Sequence, residues 1–277
     1  MKFQKTAIAL TSLALLLGAG GTAMAATPVF GETGLYPPSK QQLQEHKEII
    51  KQAEAIQQKK RQLGEIEYIY IKNMTQNLPE GFDYVIGEGG YEAFKDYAAL
   101  MERAESLGVP QPKGLIVPEG YQFTGGAIQT HVPQSWSAEN EKVLKQLRVK
   151  AAAAGKKFYT EKTTQEKRKD IRMSYAKGKT QLSISIEHTD VQSPNVEIMD
   201  DPKSEKPGEL TIAGQKVTYT GGASLPKGSF PATQHYVRWN DKDANLSYRV
   251  WARDNGLSKQ DLIALAEQLI NAHKLSE

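Results

Sequence analysis

Hydrophobic positions along this chain follow three rhythms in turn: an unbroken apolar run, then spacing of three and four, then alternation. The run is Ala7 to Leu17, preceded by Lys2 and Lys5 and followed by Ala23-Met24-Ala25. That order is the pattern of a secretory signal peptide over residues 1–25, with cleavage expected between Ala25 and Ala26. The run is too short to cross about 30 Å of hydrocarbon as a helix, and no other segment has the roughly 20 apolar residues that a span requires. A secreted protein with no transmembrane segment in the mature chain is the expectation.

Helical spacing dominates the next stretch. Ser39 is placed to cap a helix to about Leu63, with Leu43, Ile49, Ile50, Ala53 and Ile56 on a thin apolar stripe that predicts a peripheral element. Ile66 to Ile71 alternates as a short strand. Gly89-Gly90 then precedes a helix expected over Tyr91 to Leu107, where Tyr91, Phe94, Tyr97, Ala98, Met101 and Ala104 recur three and four apart and Gly108 ends the pattern. Leu115 to Phe123 and Ala127 to Val132 read as short strands or loop, after which Ser137 caps a helix ending at Gly155. Residues 155–170 have little apolar periodicity and are rich in Lys and Arg, which predicts a linker. Lys156, Lys157, Lys162, Lys167, Arg168 and Lys169 make it a candidate site for an extracellular protease.

Alternation takes over at Ile171. Ile171 to Lys177 and Gln181 to His188 flank Gly178-Lys179, Glu209 to Ile212 and Lys216 to Thr220 flank Ala213-Gly214, and His235 to Trp239 and Leu246 to Arg253 form a third pair. The closing helix has Ser258 as N-cap, Asp261 at the capping-box position and Leu257 placed to staple onto Leu262. Its stripe of Leu262, Leu265, Ala266, Leu269 and Ile270 suits the apolar face of a sheet. The fold class expected is α+β: a helical N-terminal part, then an antiparallel β-sheet of hairpins packed by a C-terminal helix. The divisions are a helical segment with a short strand over 26–78, a helical or mixed region over 79–154, the basic linker over 155–170 and the sheet with its helix over 171–277.

Composition narrows the chemistry. With no cysteine there is no disulfide, no thiolate metal site and no lipoprotein anchor to expect. A charged content of 24% and a hydrophobic content of 39% describe a globular chain, and a net charge of +3, partly from Lys2 and Lys5, gives no global sign of a nucleic-acid partner. Lysine-rich, cysteine-free export leans towards a Gram-positive source.

Candidate sites are few. His46, His131, His188, His235 and His273 are widely spaced and form no local metal pair, so neither zinc nor another cofactor is expected. Asp241, Asp243 and Asn245 begin like a calcium loop, but Leu246 stands where the turn glycine belongs, and a polar hairpin turn is the better reading. Ser224 lacks the second glycine of a nucleophile elbow, and Gly87 to Gly90 lacks a phosphate-binding motif. Glu187, Asp190, Glu197, Asp200 and Asp201 read as solvated loop acids rather than a glycosidase pair. Among the aromatics, Trp239 and Trp251 of the last hairpin read mainly as packing residues. With Arg249 and Arg253 they make a candidate binding face.

Tyr236-x-x-Trp239, Tyr248-x-Val250 and Gly256-Leu257-Ser258-x-x-Asp261-Leu262 with Ala266 resemble a secreted module of Bacillales proteins, classed as domain of unknown function 4367. Pro118-Glu119-Gly120-Tyr121 and Met173 to Lys177 resemble its opening, so the likeness covers about Leu115 to His273. It implies an α+β fold and an exported or envelope-associated setting, and names no ligand or catalytic residue. The whole architecture is also similar to Paenibacillus precursors of sibling-killing bacteriocins. That likeness implies a non-toxic precursor, opened by a subtilisin-type protease to release an antibacterial C-terminal fragment. The sequence therefore points to a non-enzymatic secreted precursor, with an intact envelope-associated binding module on an aromatic hairpin face as the alternative.

Overall fold

The computed structural model describes residues 40–72, 83–112, 115, 117–191, 208–220, 234–253 and 257–274. The signal-cleavage position at Ala25 and Ala26, the Ser39 cap, Ser224, Glu197, Asp200 and Asp201 lie outside them. In chain order the elements are α1 (Lys40–Gln57), β1 (Glu65–Ile71), β2 (Tyr84–Gly89), β3 (Tyr91–Phe94), α2 (Tyr97–Ser106), β4 (Gln122–Thr130), α3 (Ala138–Ala153), β5 (Phe158–Thr164), β6 (Lys169–Lys177), β7 (Thr180–His188), β8 (Gly208–Ile212), β9 (Gln215–Thr220), β10 (Gln234–Asp241), β11 (Leu246–Arg253) and α4 (Lys259–Lys274).

The expectation of an α+β chain with a helical N-terminal part is overturned. Among the described residues the protein is mostly β, with eleven strands in two antiparallel sheets and four helices. Strands run from Glu65 to Arg253, and three that were not foreseen, β2, β3 and β5, all lie at sheet edges. An edge strand has one free side and needs little apolar alternation. No helix among the described residues is long and apolar enough to cross a membrane.

The described parts of Met1–Gly90, Val132–Gln165 and Asp190–Glu197 form one compact unit. Its sheet has the order β2-β1-β5, and every residue of β1 after Glu65 is buried. Alternation sends Ile69 and Ile71 to one face, where Ile49, Ala53 and Ile56 of α1 cover them. Ile66, Tyr68 and Tyr70 point to the other, against Leu147 and Ala151 of α3. The thin stripe on α1 thus covers one face of a narrow sheet rather than lying peripheral. Ser137 caps α3 as expected, its Oγ accepting from Asn140 N at 3.0 Å. Most of the segment read as a linker is occupied by β5, where Tyr159 pairs with Tyr70, and by the start of β6. Exposed Lys162, Thr163 and Thr164 on β5 hide its periodicity.

The described parts of Tyr91–His131, Glu166–Thr189 and Ile198–Glu277 form the second unit, an eight-stranded sheet of order β3-β4-β6-β7-β11-β10-β9-β8. The three hairpins expected from the alternation are its β6–β7, β8–β9 and β10–β11 pairs. Ala213 and Gly214 both have positive φ, 48° and 81°, as a tight hairpin turn requires. One face is apolar and buried: Ile128, Ile171, Met173, Leu182, Ile184, Ile186, Val237 and Val250 are all fully enclosed. Leu262, Leu265, Ala266, Leu269 and Ile270 of α4 are buried as well, and this helix packs on β8, β10 and β11. Burying such side chains contributes about 1.5–3 kcal/mol each.

At the other end of this sheet α2 packs on β4. The helix expected from Tyr91 starts later because Asp96 caps it, its Oδ1 accepting from Ala99 N at 2.8 Å. Residues 91–94 pair as β3 instead, and the buried positions of α2 are Leu100 and Ala104, with Tyr91 and Tyr97 exposed. The α4 cap forms as read from the sequence. Ser258 N donates to Asp261 Oδ2 at 2.8 Å, Asp261 N donates to Ser258 Oγ at 3.2 Å, and Leu257 and Leu262 are both buried. Ser258→Ala should cost about 1 kcal/mol, which thermal unfolding would register as a melting temperature about 2–4 °C lower.

Candidate functional site

The second face of the eight-stranded sheet is polar, and its register lines up charge across strands distant in sequence. Arg172 on β6 pairs with Ser185 on β7, Ser185 with Arg249 on β11, Arg249 with Arg238 on β10, and Arg238 with Thr218 on β9. Five neighbouring strands therefore contribute one row containing three guanidiniums. The next row on one side is Ser174, Ser183, Trp251, Tyr236 and Thr220, and on the other side Glu187 pairs with Ser247 and Ser247 with Asn240.

The aromatic row holds the arginines down. The Arg172 guanidinium lies 5.6 Å from the centre of the Trp251 ring, and that of Arg249 lies 5.9 Å from the centre of Tyr236. Arg238 Nε donates to Ser247 Oγ at 3.1 Å. Like charges directly opposite on neighbouring strands are destabilising. Burial first, and then the Arg249 charge beside it, lower the Arg238 pKa below its ordinary value, while Glu187 opposes the shift. On this same face Ser185 Oγ, Glu187 Oε1, Thr220 Oγ1 and Arg249 Nε are buried without a hydrogen-bond partner among the described residues. A buried polar group left unsatisfied costs about 1–3 kcal/mol. Several such groups on one face make it the most polar enclosed surface of this sheet among the described residues.

A second polar cluster closes one end of β4, β6 and β7. His131 Nδ1 lies 2.8 Å from Asp170 Oδ2, and His188 Nδ1 lies 3.1 Å from Asp170 Oδ1, which also accepts from His188 N at 2.8 Å. Arg168 lies 3.0 Å from His131 Nε2. A guanidinium only donates, so His131 Nε2 is the acceptor and Nδ1 carries the proton given to Asp170. Burial alone would raise the Asp170 pKa, but the hydrogen bonds from His131 and His188 outweigh it and hold the carboxyl below its usual value. The three side chains present ligand atoms within 4.8 Å of one another and so form a potential metal centre. A metal on His131 Nδ1 would need the lone pair of a nitrogen that here bears hydrogen, and the Arg168 contact opposes that exchange. The arrangement acts as a clamp on three strand ends.

The predicted site residues divide accordingly. Arg249 and Trp251 lie on the polar face, and Arg253 ends β11. Trp239 does not belong with them: it is 5% exposed on the opposite face, stacked on Tyr248 with ring centres 5.0 Å apart. Lys156 and Lys157 lead into β5, Lys162 sits on it, Lys167 and Arg168 occupy the turn before β6, and Lys169 begins β6. Lys162 also lines a small recess with Lys59, Lys60 and Arg61, where Arg61 pairs with buried Glu67 at 3.0 Å. Asp241 and its neighbours form a hairpin turn in which Asp241 Oδ1 accepts from Asp243 N and Ala244 N. Arg172, Arg238, Ser185 and the His131–Asp170–His188 cluster were not foreseen, because only strand register brings them together.

No family model matches the chain, and no curated protein or solved structure is significantly similar to it.

Proposed function

We propose that this chain is an exported, non-enzymatic protein that attaches to the cell envelope through the polar face of its eight-stranded sheet. One observation carries the reading: Arg172, Arg249 and Arg238 stand in a single cross-strand row with Ser185, and the donors Arg249 Nε and Ser185 Oγ have no acceptor among the described residues. A row of stacked, pre-positioned guanidiniums suits an anionic surface. The N-terminal pattern of Lys2, Lys5 and Ala7 to Leu17, and the likeness of the last hairpin and helix to exported Bacillales modules, support an extracellular setting. Purified protein should co-sediment with isolated bacterial envelopes, and binding should weaken in Trp251→Ala, which removes the ring under Arg172. Protein that stays in the supernatant, or binding indifferent to the substitution, would refute this reading.

A second reading, the precursor opened by an extracellular protease, is favoured by one feature. The chain passes from the first unit to the second at Gln165 and Glu166, beside exposed Lys167. A cut there leaves β3, α2 and β4 on the N-terminal piece while β4 stays paired with β6 along its length. Release of an antibacterial fragment therefore needs a second step that strips β4 away. Brief subtilisin treatment should give two fragments that elute together in native buffer and separate only in denaturant. Immediate separation in native buffer would contradict the pairing.

A further inference from the structure

We infer that His131, Asp170 and Arg168 form an acid-opened latch that keeps a protease from the segment joining β5 to β6. The inference rests on the precursor reading and supplies its regulation. His131 directly follows β4 and is 1% exposed. Its Nδ1 hydrogen goes to Asp170 Oδ2 at 2.8 Å, and its Nε2 lone pair takes the Arg168 guanidinium at 3.0 Å. Both ring nitrogens are therefore committed, and neither is left for a metal. The main chain repeats the tie, because His131 N donates to Arg168 O at 3.0 Å. At the other end of the segment Gln165 N donates to Gly64 O at 2.7 Å. Exposed Glu166 and Lys167 lie between these anchor points, too short a stretch to extend through a protease cleft. Cutting after Lys167 or Arg168 requires the Arg168 end to come loose.

Protonation supplies the release. Histidine is the side chain whose charge ordinarily changes between about pH 5 and 8. A second proton on His131 occupies Nε2, which then has no lone pair for Arg168 and sets a cation 3.0 Å from a guanidinium. The bond to Asp170 survives that change and strengthens, since an imidazolium donates to a carboxylate more strongly than a neutral ring does. Burial pushes the Asp170 carboxyl up, but the hydrogen bonds from His131 and His188 outweigh it and keep it ionised through this range. The histidine stays in place while Arg168 is expelled. The charged and titratable groups set against His131 are Asp170 on β6, His188 on β7, with ring centres 5.6 Å apart, and Arg168 in the turn before β6. His188 Nδ1 bonds the other carboxylate oxygen at 3.1 Å, so its protonation leaves the tie to Asp170 intact. It is His131 whose second nitrogen faces the guanidinium.

The test is limited trypsin digestion of the full chain from about pH 7.5 to about 5.5, with the fragments identified by mass. Rates are divided by those of His131→Gln at the same pH, so that the protease's own pH dependence cancels. Glutamine can donate to Asp170 and accept from Arg168 but takes no proton, so it holds the closed arrangement at every pH. Relative to that variant, cleavage after Lys167 and Arg168 should rise about tenfold as a one-proton opening is driven through one pH unit. Arg168→Gln, which removes the second cation, should abolish the rise at Lys167, whereas His188→Gln should keep it. Protection of the His131 amide from hydrogen exchange should fall over the same range in the unmodified chain and stay level in Arg168→Gln. A flat cleavage ratio with level protection would overturn the latch and leave the precursor reading intact, with a site cut equally at any pH. Lost protection with cuts confined to other segments would overturn the cleavage site of the precursor reading and this inference with it. A rise that persists in Arg168→Gln or disappears in His188→Gln would overturn the assignment to His131.

Discussion

Replacing Asp170 with alanine should destabilise the protein by about 3–5 kcal/mol, the usual cost of removing one partner from a buried charged cluster. Asp170 is 4% exposed and accepts from His131 Nδ1, His188 Nδ1 and His188 N. Its loss takes from those three donors the carboxylate they share and removes the negative charge nearest the Arg168–His131 contact. Urea denaturation near neutral pH measures the effect directly. The pH dependence follows from the carboxyl being held below its usual value by the two histidines, against the opposing effect of burial. A carboxyl depressed in the folded state contributes stability that is complete above the ordinary value near 4 and is lost as pH falls through the lower folded value. Native protein should therefore lose stability on acidification below about pH 4, and Asp170→Asn should flatten that part of the profile. A variant with an unchanged acid limb would show that Asp170 is not the group responsible.

Gly90→Ala should be nearly as damaging. Gly90 N donates to Glu65 O at 2.8 Å at the end of the β1–β2 pair, and a Cβ there would collide with the backbone carbonyl of Gln62. Backbone cannot rotate out of the way as a side chain does, so the strand end must move and the Glu65 bond is lost. The cost should reach about 3 kcal/mol, the upper end of ordinary overpacking. Gly155→Ala is the informative control. Its φ of 64° strains a residue with Cβ, yet nothing lies within 4 Å of the added atom. A penalty of about 1–2 kcal/mol is expected there from handedness alone. Chemical denaturation of the two variants separates collision from strain.

The parts of this fold that alternate strongly were legible in the sequence. β6, β7, β10 and β11 lie inside the sheet, bury one face completely and so carry unbroken period-two patterns. The α4 cap was legible because Ser258 and Asp261 satisfy each other locally. Edge strands were not. In β2 and β5, Gly87 and the run from Glu161 to Thr164 break the alternation that would have marked them. For β3, Tyr91 and Phe94 happen to fall at a helical spacing from residues of α2, and the pattern runs straight through the Asp96 cap that separates them.

The candidate site was half legible for a related reason. Arg249 and Trp251 could be chosen because they share one strand and one face. Arg172 and Arg238 join them only through the β6–β7–β11–β10 register, which links residues far apart in the chain. The same holds for His131, Asp170 and His188, each at a different strand end. Trp239 was misplaced onto that face because its sequence neighbourhood does not reveal whether Tyr248 or Trp251 lies across from it.

The central claim is that the polar face of the eight-stranded sheet meets the envelope. The most direct measurement is the NMR spectrum of arginine Nε–Hε groups, followed as soluble envelope polymer is added to the intact protein. The signals of Arg249 and Arg238 should shift together and saturably, with Arg103 on α2, already paired with Glu92, left unchanged. Shifts confined to other residues, with the Arg238 and Arg249 signals unmoved at saturation, would contradict the account.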